Sequence, residues 1–219
     1  MKLFLLFFLI TIAFKLSAQN DSAGMVLYTP EYKFKDGIYI SYEQVKLNKP
    51  VEVSRLITDS DPESLEFFND LIAGTTIKFY DDFGVIQSVN TKNIWGYSRN
   101  GTLFVNYNYS FNRIPVFGRI CHFIADITVT YDRISDPYYY NNYYSPMNMT
   151  YETKELRQYV LDFETGNIYN CDLTSVEPML MSDNEIYNEF NQLKKRKKKK
   201  MLFFYIRMYN EKNPIYLPE

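Results

Sequence analysis

Along this chain the spacing of apolar residues changes from unbroken, to alternating, to helical. The alternating part is the longest. From residue 75 to about 171, short runs rich in β-branched and aromatic residues recur at 76–80, 85–89, 94–97 and 103–107. Asp81-Asp82-Phe83-Gly84 and Arg99-Asn100-Gly101 separate them and read as hairpin turns. A run at 111–114, a long one at 119–131, and a pair at 159–163 and 167–170 around Glu164-Thr165-Gly166 continue the pattern. Strands this closely spaced predict an antiparallel meander, curved or partly closed, and not a parallel α/β sheet.

Helical signals flank that region. Asp36-Gly37 marks a turn and residues 38–40 a short strand; Ser41 with Gln44 then forms a capping box for a short helix that Asn48-Lys49-Pro50 ends. A second helix is predicted from Asp61-Pro62-Glu63, with Leu65, Phe68, Leu71 and Ile72 on one face and Gly74 at its end. After the strands, residues 173–181 read as one helix in spite of Pro178, and Ser182 with Glu185 as the capping box of another. That second helix is expected to run through a basic block to Tyr209, before Asn213-Pro214 stops it. Its inward stripe would be Phe190, Leu193, Lys197, Met201, Phe204 and Met208. The fold class is therefore α+β: a mainly antiparallel meander with short N-terminal helices and a C-terminal helical segment.

The unbroken apolar run, residues 3–14, follows Lys2 and precedes Leu16-Ser17-Ala18-Gln19. This order is that of a cleaved signal peptide, and the run is too short to span a bilayer. The expected organisation is a signal peptide at 1–19, a leader at 20–33, and one α+β domain at 34–219, with a β-rich core at about 75–171 and a helical C-terminus at about 173–212. No later run reaches ~18 apolar residues, so no transmembrane segment is expected in the mature chain. An exported location is expected, in the periplasm or peripheral to the cell envelope.

Charge sharpens this picture. Of the 24 basic residues, two lie in the signal region and seven form the block at 194–200; the rest of the chain carries 15 against 26 acidic residues, a net near −11. An acidic body behind a signal peptide speaks against nucleic acid as a partner. The block reads first as part of a helix docked by its stripe, with Lys197 laying its methylenes along the core. The alternative is partner contact through Lys194, Lys195, Arg196, Lys198 and Lys199. The segment 136–151 holds six of the 21 tyrosines, and Tyr138, Tyr139, Tyr140, Tyr143 and Tyr144 are further candidates for contact.

Catalytic and metal signatures are sparse, and no cofactor or metal site is read. His122 is the single histidine, and its neighbour Cys121 would point to the opposite face of a strand. Cys121 and Cys171 are a candidate disulfide in an exported chain; the alternative is two separate thiols. The acids at Asp59, Asp61 and Glu63 lack the glycine and the terminal glutamate of a calcium loop, and Pro62 fits a helix start. Asp81, Asp82, Asp162 and Glu164 are the carboxylates a hydrolase could draw on, although all sit in or beside turns.

Taken together, FKDGIYISYE at 34–43, NKP at 48–50, IWGY at 94–97 and YNEKNPIYLP at 209–218 resemble an uncharacterised family of exported Bacteroidetes proteins. The resemblance implies a bacterial source and delivery across the inner membrane, and supplies no catalytic or binding position. The function expected is a non-catalytic exported protein that binds an envelope protein, a glycan or a membrane surface. The alternatives are a carboxylate-based hydrolase of envelope or dietary polymers, and a protein holding a small apolar ligand in a cavity of its sheet.

Overall fold

The computed structural model describes residues 24–132 and 150–219. The signal-peptide region, residues 20–23 of the leader and the tyrosines 138, 139, 140, 143 and 144 lie outside the described residues.

Strands β1 (Met25–Leu27) and β2 (Gly37–Tyr39) precede helix α1 (Tyr42–Lys46) and strands β3 (Val51–Glu52) and β4 (Leu56–Ile57). Helix α2 (Phe67–Ala73) leads into β5 (Thr76–Tyr80), β6 (Ile86–Asn90), β7 (Gly96–Arg99), β8 (Thr102–Tyr107), β9 (Ser110–Arg113) and the long β10 (Ile120–Asp132). Then follow β11 (Thr150–Asp162), β12 (Ile168–Asn170), helices α3 (Leu173–Leu180), α4 (Asn184–Asn191) and α5 (Lys195–Lys212), and strand β13 (Tyr216–Pro218).

Every pairing among these strands is antiparallel. They form a five-stranded sheet β3-β2-β7-β8-β9, two three-stranded sheets, β4-β5-β6 and β10-β11-β12, and the pair β1-β13; none closes into a barrel. Alternation along the strands explains how the sheets stack, because successive side chains face opposite sides. In the five-stranded sheet Tyr39, Leu103 and Val105 enter one core with Cys121, Phe123 and Ala125 of β10 and Tyr159 and Leu161 of β11. Ile38, Tyr97 and Phe104 point the other way and pack with Phe67, Phe68 and Leu71 of α2 and Ile77 and Phe79 of β5. Ile120 and Val160 show the remaining face of β10-β11 to a third core, built by Val176, Leu180, Ile186, Phe190, Leu202, Tyr205, Ile206 and Tyr209 of the last three helices.

Local chemistry holds the turns where the sequence predicts them. Ser41 Oγ accepts from Gln44 N while the Gln44 amide oxygen accepts from Ser41 N, so the capping box opening α1 is made in both directions. Asn100 and Gly101 both adopt left-handed backbone, φ 51° and 73°, in the two-residue turn of β7-β8. The Asp36 carboxylate accepts from both their backbone N–H groups, at 2.8 and 2.9 Å.

Other expectations shift. Helix α2 begins at Phe67, not at Asp61, because the Asp61 carboxylate caps a turn by accepting from Glu63 N; Leu65 is consequently exposed. The N-cap of α4 is Asp183, which accepts from Glu185 N and Ile186 N, whereas the Ser182 hydroxyl turns back to Met179 O. Strand β11 starts nine residues earlier than the alternation indicates, paired along its whole length with β10. The expected continuous C-terminal helix is broken at residues 192–194, and Lys194 takes extended backbone before α5 begins. That break resets the helical phase. Leu202, Tyr205, Ile206 and Tyr209 face the core, Phe204 is exposed, and Lys198 takes the inward place expected of Lys197.

Candidate functional site

The basic block enters the fold through one of its members. Lys198 Nζ donates to Glu177 of α3 at 2.9 Å and to Asn191 of α4 at 2.8 Å, and it lies 5.2 Å from the centre of the Phe190 ring. The other cations stay in water: residues 194–197, 199 and 200 are all exposed. Helix α5 has no side-chain N-cap and no acid in its first turn. Its positive end therefore carries six cations in under two turns, an arrangement that both the helix dipole and like-charge repulsion oppose.

An open groove of about 660 Å³ runs beside this end of α5. Lys199, Lys200, Leu202 and Phe203 line it from the helix; Leu156 and Gln158 of β11 and Asn170 and Cys171 at the end of β12 line it from the sheet. Sheet pairing positions the second wall, since Cys171 N donates to Gln158 O at 3.0 Å and so extends the β11-β12 ladder by one bond. Behind it, the Gln158 amide oxygen meets His122 Nε2 at 3.0 Å, and the Phe203 ring stands edge-on to the imidazole, 5.0 Å between centres. Docking of α5 is set at its other end by Asn210, whose amide accepts from Ile120 N and donates to Ile120 O, at 2.9 and 2.8 Å. Gly118 permits that approach, because a Cβ there would fall 2.5 Å from Asn210 Cγ.

At neutral pH this groove offers charge and apolar surface. Burial pushes the Cys171 thiol up to about 11, so it stays protonated. Burial also lowers the His122 pKa, against the opposing hydrogen bond to the Gln158 amide oxygen, and leaves a neutral ring whose Nδ1 has no partner among the described residues. Cys121 is fully buried on the opposite face of β10, its thiol raised to about 12. Both cysteines are free. The disulfide considered from sequence is not made, because Cys121 belongs to the core between the sheets and Cys171 to the core under the helices.

Of the four carboxylates weighed for hydrolysis, two hold turns and two pair with arginines. Asp81 is held below the usual carboxylate range chiefly by accepting from Gln87 Nε2, and also from Val85 N and Phe83 N. Asp82 pairs with Arg55 at 2.7 Å. Asp162 accepts from Glu164 N and Thr165 Oγ1, and Glu164 stands 4.0 Å from Arg119. No group of three or more His, Cys, Asp or Glu residues able to hold a metal ion occurs among the described residues, and no described helix is long and apolar enough to cross a membrane.

Of the predicted contact residues, Lys199 lies in the groove, beside the disulfide candidate Cys171. Lys194, Lys195 and Arg196 lie on the exposed start of α5, and Lys198 is turned inward. Sequence reasoning missed Lys200, Gln158 and Phe203. Their meeting depends on the register of β10 with β11 and on the phase of α5, neither of which has a local signal.

Residues 37–213 match the family of unknown function DUF6563, and the chain belongs to that family. No curated protein and no solved structure matches it.

Proposed function

We propose that this member of DUF6563 is a non-catalytic exported protein of the bacterial cell envelope that binds anionic amphiphiles, chiefly acidic phospholipid, along the groove beside α5. The observation that carries this reading is the pairing of the exposed cations Lys199 and Lys200, which have no acidic partner among the described residues, with the apolar side chains Leu156, Leu202 and Phe203 in one open cleft. A lysine near an anionic lipid surface contributes about 1 kcal/mol, and the adjoining Lys194, Lys195 and Arg196 add to the same field. The charge segregation of the chain supports the same conclusion, since an acidic body would orient the basic end of α5 toward an anionic surface.

Vesicle co-sedimentation tests the reading. The mature chain should sediment with phosphatidylglycerol vesicles and not with phosphatidylcholine vesicles, and the Lys199→Gln/Lys200→Gln variant should bind on the order of tenfold more weakly. Equal binding to both vesicle types, or to neither, overturns it.

A further inference from the structure

Two hairpins of the central sheet make the same turn with different residues. In β7-β8, Arg99 pairs with Thr102 across Asn100-Gly101; in β8-β9, Tyr107 pairs with Ser110 across Asn108-Tyr109. Both residues of each turn are left-handed: φ 51° and 73° in the first, 52° and 61° in the second. Two-residue turns of this kind favour Asn-Gly, because glycine alone takes the second position without a Cβ clash. A tyrosine there is strained backbone. Core packing does not account for it, since Tyr109 is 70% exposed.

Tyr109 edges a pocket of about 300 Å³ whose wall carries Thr75, Asn90, Lys92, Asn106 and Phe111. The Lys92 ammonium lies over the Tyr109 ring, 5.0 Å from its centre, and the residue is largely exposed, so ring surface remains for a ligand to stack on. Asn106 commits its amide N–H groups to Lys92 O and Ile94 O, so its amide oxygen remains as an acceptor facing no partner among the described residues. Asn90 uses its oxygen to accept from Lys92 N and keeps its NH₂ as a donor.

We propose that this pocket binds a neutral sugar, one or two residues of a glycan, with Tyr109 as the stacking surface. A pyranose ring has one apolar face and a rim of hydroxyls that both donate and accept. The site presents the matching set: an open aromatic face, an amide acceptor, an amide donor and the Thr75 hydroxyl. The volume lies at the lower end of those of small-molecule sites. No acidic side chain lines the pocket, and its one cation, Lys92, lies over the tyrosine ring, so a neutral sugar meets no carboxylate it would have to desolvate. The site shares no residue with the groove beside α5 and stands or falls separately.

The test is a panel of immobilised neutral di- and oligosaccharides of glucose, galactose, mannose and N-acetylglucosamine, probed with the full chain. At least one should retain the wild type and Tyr109→Phe, and the same sugar in solution should compete. Tyr109→Gly should bind about tenfold more weakly, as loss of a central aromatic contact implies. Its melting temperature should rise, because glycine relieves the turn; that opposite sign separates lost binding from lost folding. Retention of no sugar by the wild type, or equal retention of Tyr109→Gly, overturns the proposal.

Discussion

Lys198 and Glu177 form an ion pair 2.9 Å long between α5 and α3, with the lysine side chain only 12% exposed. One cation of the basic block is thus a structural strut, while its neighbours make no ion pair among the described residues. Lys198→Gln should lower stability by about 1–2 kcal/mol, since it leaves the part-buried Glu177 carboxylate without its donor. Replacing Lys195, Lys199 and Lys200 together with Gln should change stability by no more than ~0.5 kcal/mol per site, and relief of like-charge repulsion could make the change favourable. Urea unfolding of the two variants measures the contrast, and a double-mutant cycle of Lys198 with Glu177 isolates the pair.

Asp183 gives the fold an acid-sensitive joint. Its carboxylate caps α4, accepts from Lys212 Nζ at 3.0 Å and from Asn213 Nδ2 at 3.1 Å, and is held at about 2, below its ordinary 3.8. The backbone bond from Ile186 is the chief cause, with Lys212 and Asn213 adding to it. Because the folded value lies below the unfolded one, the stabilisation is complete above pH 3.8 and is lost as pH falls towards 2. Asp183→Asn keeps a capping oxygen and loses the charge, so its melting temperature should fall less steeply with acid than that of the wild type. Thermal melts between pH 5 and pH 2 supply the comparison.

How far each feature was legible depended on how local its cause is. The capping box of Ser41 and Gln44, the Asn100-Gly101 turn and the hairpin around Gly166 are decided by four or five consecutive residues, and all were readable. The stacking of sheets was not, because the neighbours Tyr97 and Ser98 are both buried, and Phe104 is half-buried beside the buried Val105, so neither face of the sheet is left to water. The phase of α5 was misread for a different reason. A stripe with Lys197 inward satisfies helical spacing as well as one with Lys198 inward, and the choice is made by the break at residues 192–194 and by Glu177 and Asn191 on other helices. The groove is less legible still, since Gln158, Cys171 and Lys199 meet through tertiary docking alone.

The two thiols should differ in reactivity. Cys121 is fully buried and accessible to a thiol reagent only on opening of the core, whereas Cys171 is part-buried at the wall of an open groove. Both are raised above the ordinary thiol value, to about 12 and about 11, so neither is a fast nucleophile near pH 7. Titration of the native chain with a disulfide reagent should modify Cys171 slowly and leave Cys121 unmodified until denaturant is added. Reducing agent should leave the melting temperature unchanged, because there is no bridge to break.

The single histidine makes the α5–sheet contact directly observable. His122 lies beneath Phe203 with its Nε2 on Gln158, and burial lowers its pKa from the ordinary 6.5 while the Gln158 bond opposes that shift. The folded protein therefore resists protonation that the unfolded chain accepts, and stability should decline as pH falls below 6.5 and through the folded value. Two variants separate the causes. Phe203→Ala opens the ring to water, so the pKa should return towards 6.5; Gln158→Leu removes the bond to the charged form, so it should fall further. Proton NMR of the imidazole across pH 4 to 8 reads both shifts from one resonance. Movement of the two variants in the same direction would mean that α5 does not cover His122 in solution.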